Sequence, residues 1–225
     1  ITKNLNLANR LANEILLTDK NNQEAYIVNL VYYYNKKNYD EINYLYKKNN
    51  NINELIDFIF FNDGKLKKNN NISNSLVEIV VSSFSNADQR NLNYNFLLFY
   101  ISLAQLIDPA NDRATIIKGE LFQNIKKVKE ARFVFEQINK NSQYYLEAQK
   151  SLAYNYSTFL PFAEAENKIL KLLENTNNDY FIKKVLADFY RYEKKYESAK
   201  QIYNEMIDLN RDDLWNIYYM RGICY

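Results

Sequence analysis

Apolar residues recur at helical spacing along nearly the whole chain, and the gaps between them are filled by polar turn formers. From Asn4 to Leu17 one stripe carries Leu7, Leu11 and Ile15 with Ala8 beside it, which predicts an amphipathic helix ended by Thr18-Asp19-Lys20-Asn21-Asn22. Gln23 to about Leu55 predicts a helical hairpin whose turn, Asn38-Tyr39-Asp40-Glu41, brings acidic residues into the first turn of its second helix. The period fails between Asn51 and Asn74, where a short apolar helix from Ile52 to Phe61 is followed by the turn Asn62-Asp63-Gly64 and a polar run, Lys65 to Asn71. This stretch is expected to be an irregular joint and a solvated connector. Ser73 to Phe84 and Leu92 to Ile107 predict the next pair, joined by Ser85 to Asn91. The second of these helices carries Phe96, Leu97, Leu98, Phe99, Ile101 and Leu103 on nearly every face, which predicts burial on more than one side or a face for a second chain.

From Asp112 to Asp213 the pattern becomes strictly periodic, with segments 112–145, 146–179 and 180–213 stepping by 34 residues. Small residues form two columns, Gly119, Ala153 and Ala187, and Ala131, Ala165 and Ala199. Bulky residues form two more, Phe122, Tyr156 and Tyr190, and Phe135, Ile169 and Tyr203. Two helix backbones approach closely only where side chains are small, so one small residue per helix marks the crossing, and the large residues fill the space beside it. Pro161 falls at the turn between the two helices of its segment, at the first helical position, where its missing N–H costs nothing. In the earlier hairpin Tyr33 and Tyr46 occupy the bulky columns, but Leu30 and Ile42 stand in the small ones, so its helices are expected to lie further apart. A further segment starts after Asp213, with Trp215, Tyr218, Gly222 and Tyr225 in the positions of a first helix.

This period and these columns resemble the tetratricopeptide repeat, a helix-turn-helix unit that stacks into a solenoid. The resemblance implies an all-α fold, a right-handed α-solenoid of about six to seven hairpins. Degenerate helices occupy 1–56, the joint 57–77, and the array 78–225, with its partial unit from 215. The first helix is expected to be the second half of a hairpin and the last stretch the first half of another, so the chain is expected to be a fragment of a longer array. Asp212-Asp213-Leu214-Trp215 through Tyr218-Tyr219-Met220-Arg221-Gly222-Ile223 also resembles a segment of long tetratricopeptide proteins of alphaproteobacteria, which would place the chain in a bacterial cytoplasm or periplasm.

Proteins of this family bind partners on the concave face, lined by the first helix of each pair. Helical spacing places Arg113, Ile116, Glu120 and Asn124 there, then Glu147, Lys150, Tyr154 and Thr158, then Phe181, Lys184, Asp188, Arg191 and Tyr192. The expected partner is a protein or peptide, with Lys150, Lys184 and Arg191 holding carboxylates beside Tyr154 and Tyr192. The family's clamp for acidic C-terminal tails of chaperones is not matched, since Ile116 and Glu120 stand where it needs Lys and Asn. The expected role is a non-catalytic scaffold in a larger chain or complex. RNA binding by a related helical repeat and a structural subunit docked through helix 92–107 are the alternatives.

Composition narrows the chemistry. With 29 Lys and Arg against 27 Asp and Glu the net charge is +2, and Glu120, Glu147 and Asp188 interrupt the positive charges, so nucleic acid is not the expected partner. The abundant Asn residues sit mostly between apolar segments, where turn chemistry favours them. There is no histidine, which removes the commonest general base and metal ligand. Three glycines form no phosphate loop, and a single cysteine, Cys224, permits no internal disulfide and is expected to be a buried structural thiol. The pairs Glu164 and Glu166, and Asp212 and Asp213, are expected to be solvated turn residues. No enzyme, cofactor or metal is expected, and no run is long enough to span a membrane.

Overall fold

The computed structural model describes residues 2–48, 54–62, 65–67, 71–86, 92–209 and 214–225. Several features read from the sequence lie outside them: Ile52, the turn residues Asp63 and Gly64, residues 68–70 of the polar run, most of the connector 85–91, and the pair Asp212 and Asp213. The regular elements among the described residues are helices, apart from one small β-ladder. The helices are α1 (Thr2–Thr18), α2 (Gln23–Asn35), α3 (Tyr39–Lys48), α4 (Glu54–Phe60), α5 (Ile72–Asn86), α6 (Tyr94–Ile107), α7 (Asp112–Asn124), α8 (Val128–Phe135), α9 (Tyr145–Phe159), α10 (Phe162–Asn175), α11 (Tyr180–Tyr192), α12 (Tyr196–Asp208) and α13 (Leu214–Gly222). Helices adjacent in sequence pack on one another at α1–α2, α5–α6, α9–α10 and α11–α12. The chain divides into two compact units, residues 1–121 and 122–225, with the boundary inside α7.

Asparagine starts many of these helices. The side chains of Asn22, Asn38, Asn71, Asn93 and Asn111 each accept a hydrogen bond from the backbone N–H three residues on, at 3.0–3.2 Å. Each satisfies one of the donors that a helix start leaves unpaired. The turns inside hairpins are equally specific. Lys37, Lys126 and Lys194 adopt left-handed backbone conformations, with φ of 55°, 64° and 59°. In each case the next residue donates its N–H to the carbonyl of an aromatic residue five positions back, Asn38 to Tyr33, Lys127 to Phe122 and Lys195 to Tyr190. This is the Schellman closure, in which a left-handed residue lets the chain satisfy the last helical carbonyls. Lys126 and Lys194 lie two repeat steps apart; the intervening turn uses Pro161 instead, which caps α10 one position earlier than its sequence pattern suggested.

In unit 1 the core gathers around α2, α5 and α6. Tyr100 and Ile101 of α6 are fully buried, as are Ile27, Leu30 and Val31 of α2 and Leu76 of α5, while Phe96, Leu98 and Phe99 are half-buried. The apolar helix 92–107 is thus buried on more than one side within its own unit. Ser73 ties α5 to α6 by donating to the Ala104 carbonyl at 3.0 Å, and Asn111 donates back to Ser73 Oγ and Asn74 Oδ1 at 2.9 Å each.

Two expectations are corrected in this unit. On α1 the residues taken inward are Leu5 and Ala12, with Ala8 and Leu16 beside them; the predicted stripe stays open, Leu7 and Leu11 at 47% and Ile15 at 43% exposure. Both stripes have helical spacing, and the neighbouring α2 and α6 choose between them. The joint is also more ordered than a connector. After α4 the chain forms an antiparallel pair, β1 (Phe61–Asn62) with β2 (Lys65–Leu66), across the predicted turn. Tyr46 stacks on Phe61 with ring centroids 3.7 Å apart, and Tyr34 donates to the Lys67 carbonyl at 2.5 Å, so the hairpin is held against α2 and α3.

Three buried side-chain atoms among the described residues of unit 1 lack a hydrogen-bond partner: Asn9 Oδ1, Asn29 Oδ1 and the Tyr100 hydroxyl. The Tyr100 hydroxyl is enclosed and makes no hydrogen bond among the described residues. Burial, with the Glu24 carboxylate adding to it, pushes this phenol well above its ordinary range. Tyr100→Phe removes an uncompensated hydroxyl while keeping the ring, and is expected to raise stability by about 1–3 kcal/mol. A urea-unfolding midpoint below that of the parent would contradict it.

Candidate interaction face

The small-residue columns lie in the interior of each unit. Gly119 is buried in unit 1, and Ala131, Ala153, Ala165, Ala187 and Ala199 are all fully buried in unit 2. Of the bulky residues in unit 2, Phe135, Ile169 and Tyr203 are fully enclosed, and Tyr156 and Tyr190 nearly so. The tyrosines also carry a bond that spacing alone did not reveal. Tyr156 donates to Glu136 at 3.0 Å and, one repeat on, Tyr190 donates to Glu166 at 2.7 Å. Each links a first helix to the segment before it, and Phe122 at the head of the column has no hydroxyl with which to do so. Burial, reinforced by the hydrogen bond to Glu166, pushes the Tyr190 phenol up to about 12. Glu164 and Glu166 therefore sit in the first two turns of α10, and one of them is a structural acceptor.

The candidate partner-binding residues divide between the units. Arg113 and Glu120 belong to α7 in unit 1. Arg113 is ion-paired with Glu78 of α5, and Glu120 lines a cavity of about 210 Å³ with Val81, Phe84, Ile117 and Leu121. Ile116, expected on the same face, is 3% exposed and belongs to the interior. Asn124 is exposed at the end of α7, on the unit 2 side of the boundary.

The remaining candidates lie on α9 and α11 of unit 2, which pack on one another. Lys150 of α9 reaches to the N-terminus of α11, its Nζ 3.6 Å from Asp179 and 5.8 Å from the centre of the Phe181 ring. One turn further along α9 stands Tyr154, 56% exposed, and one turn along α11 stands Lys184. Phe181 is 44% exposed and Tyr192 80%.

The charged candidates on α11 are engaged with one another. Lys184 lies 2.7 Å from Asp188, and Arg191 lies 3.7 Å from the other oxygen of the same carboxylate. That oxygen also accepts a 2.6 Å hydrogen bond from Tyr203 of α12, whose hydroxyl in turn accepts from Arg191 Nε at 3.4 Å. Lys150, Lys184 and Arg191, the expected holders of a partner's carboxylates, each also face an Asp of their own chain. Sequence reading placed these residues on one face but could not see Tyr203 or Asp179 arrive from outside it.

Phe162 completes the support beneath α11. It stacks on Phe189 with centroids 5.2 Å apart, under Lys195 Nζ at 3.8 Å from the ring centre. Cys224 is buried, with its thiol donating to the Met220 carbonyl at 3.4 Å, and burial raises its titration point, which disfavours the thiolate. Among the described residues no group of three or more Cys, Asp or Glu is placed to hold a metal ion, and no helix is long and apolar enough to cross a membrane. Comparison with protein-family models finds no match, and comparison with curated protein sequences finds none either.

Proposed function

We propose that this protein is a non-catalytic helical-repeat scaffold of the tetratricopeptide type, and that it binds a protein or peptide partner on the α9–α11 face of unit 2. The observation that carries the reading is that the paired helices α9 and α11 of a well-packed unit leave Tyr154, Phe181 and Tyr192 open, beside other exposed aromatic side chains of the unit such as Phe133 and Trp215. Aromatic rings in the open supply contact area at little entropic cost, which is how interaction surfaces obtain their anchors. The 34-residue step, the buried alanine columns and the repeated left-handed turns support the family assignment. On this reading the chain acts by holding its partner.

Because Lys184 and Arg191 are tied to Asp188, reversing their charge would disturb the fold as well as the face. Tyr154→Ser with Tyr192→Ser is the cleaner test, since both rings are more than half exposed and removing them leaves the core intact. Cross-linking with mass spectrometry on the native protein is expected to recover a partner whose yield falls by about tenfold in the double variant, with helicity unchanged. Equal recovery from both proteins would place binding elsewhere.

A further inference from the structure

In unit 1, and independently of the α9–α11 face, we infer that Lys118 is a modification site whose Nζ accepts the acyl group of a small activated donor of the acyl-phosphate class. The amine is half-buried on α7 and donates to Gln105 Oε1 of α6 at 2.8 Å. Gln105 is itself held in place: its Nε2 donates to Thr115 Oγ1 at 2.9 Å, and that hydroxyl donates to the Asn111 carbonyl at 3.3 Å. A neutral amide therefore positions the amine.

That partner sets Lys118 apart from the other half-buried lysines among the described residues. Lys150, Lys183, Lys184 and Lys200 face Asp179, Glu205, Asp188 and Glu197, while Lys67 and Lys168 lie over the rings of Phe58 and Tyr156. A carboxylate or a ring face favours the ammonium, whereas a neutral amide oxygen accepts a hydrogen bond from either form of the amine. No charged side chain stands on α6, and its tyrosines, Tyr94 and Tyr100, lie more than a turn before Gln105. On α7, helical spacing turns Asp112, Arg113 and Glu120 away from Lys118, and Arg113 is ion-paired with Glu78 of α5. Burial without a counter-charge lowers the titration point of Lys118, so more of it is free amine at a given pH.

The free amine is the nucleophilic form. Its lone pair attacks the acyl carbon, the C–N bond forms and the C–O bond to phosphate breaks. Phosphate leaves with the electron pair, and the nitrogen gives its extra proton to water. The product amide keeps one N–H for Gln105 and no longer holds a charge in a half-buried place.

Incubation of the whole chain with acetyl phosphate, with each lysine followed by peptide mass spectrometry, tests this. At about pH 8, Lys118 is expected to acetylate at least about threefold faster than the ion-paired and half-buried Lys183, Lys184 and Lys200. Its rate should also level off at a lower pH than that of the exposed Lys126 and Lys127. Gln105→Glu places a carboxylate beside the amine and should slow Lys118 by about threefold or more, with helicity and the rates at Lys126 and Lys127 unchanged. A Lys118 that reacts no faster than the ion-paired lysines, or that follows the pH profile of the exposed ones, would overturn the inference whether or not the variant folds. An unchanged Lys118 rate in a folded Gln105→Glu chain would do the same.

Discussion

Replacing Tyr203 with alanine is expected to destabilise unit 2 by about 3–5 kcal/mol, the largest effect of any single change considered. The ring is fully buried on α12, in the same helix as Ala199, and its hydroxyl reaches α11 at Asp188. Truncation removes the apolar contacts of the ring, leaves a cavity where the two helices meet, and withdraws the donor from a carboxylate that also positions Lys184 and Arg191. Tyr203→Phe separates the two contributions. It keeps the ring and loses only the bond to the carboxylate, for about 1.5 kcal/mol, since Asp188 retains Lys184 at 2.7 Å. Urea unfolding followed by circular dichroism and by Trp215 emission measures both, the second signal arising within unit 2. A loss below about 1 kcal/mol for the alanine variant would mean that the ring does not fill the interface between α11 and α12.

The second large effect is alkaline. Burial first, and then hydrogen bonds to Glu136, Glu166 and Asp188, hold the phenols of Tyr156, Tyr190 and Tyr203 above their ordinary value of 10.0. A phenol whose folded titration point is raised keeps its proton in the native chain after the unfolded chain has released it. Its contribution to stability is therefore complete below pH 10.0 and lost as pH climbs, for Tyr190 through the window up to about 12 and for the other two beyond it. Within that window each such tyrosine adds a slope approaching about 1.4 kcal/mol per pH unit. Stability measured in urea at successive pH values should be level with respect to these groups below pH 10 and fall above it. Tyr190→Phe should be less stable near neutrality through loss of the Glu166 bond, yet show a shallower fall between about pH 10 and 12. Parallel curves for the variant and the parent would mean that Tyr190 is not titrating against the fold.

These two predictions concern the same residues from different sides. Tyr156, Tyr190 and Tyr203 stand in columns that periodicity picks out as bulky core positions, yet their hydroxyls also bind carboxylates of other helices or helix ends, Glu136, Glu166 and Asp188. Tyr203 reaches Asp188 from α12, and Tyr190 reaches Glu166 across to the preceding hairpin.

The sequence by itself determined the helical class, most helix limits, the turns and the residues of the core columns, because these depend on local terms. Helical spacing, an Asn side chain reaching the N–H three residues on, and a chain reversal after an aromatic residue all act within a few positions. Only the tertiary structure decided which stripe of α1 turns inward, since Leu5–Ala12 and Leu7–Leu11–Ile15 are both periodic and the choice belongs to α2 and α6. It likewise decided that residues 61–66 pair as a β-ladder held by Tyr34 and Tyr46. The pairing of Lys150 with Asp179, and of Lys184 and Arg191 with Asp188 beneath Tyr203, also follows from packing. Spacing defines the faces of a helix, whereas the neighbour that covers a face, and the charges it neutralises, are set by how separate helices come to rest against one another.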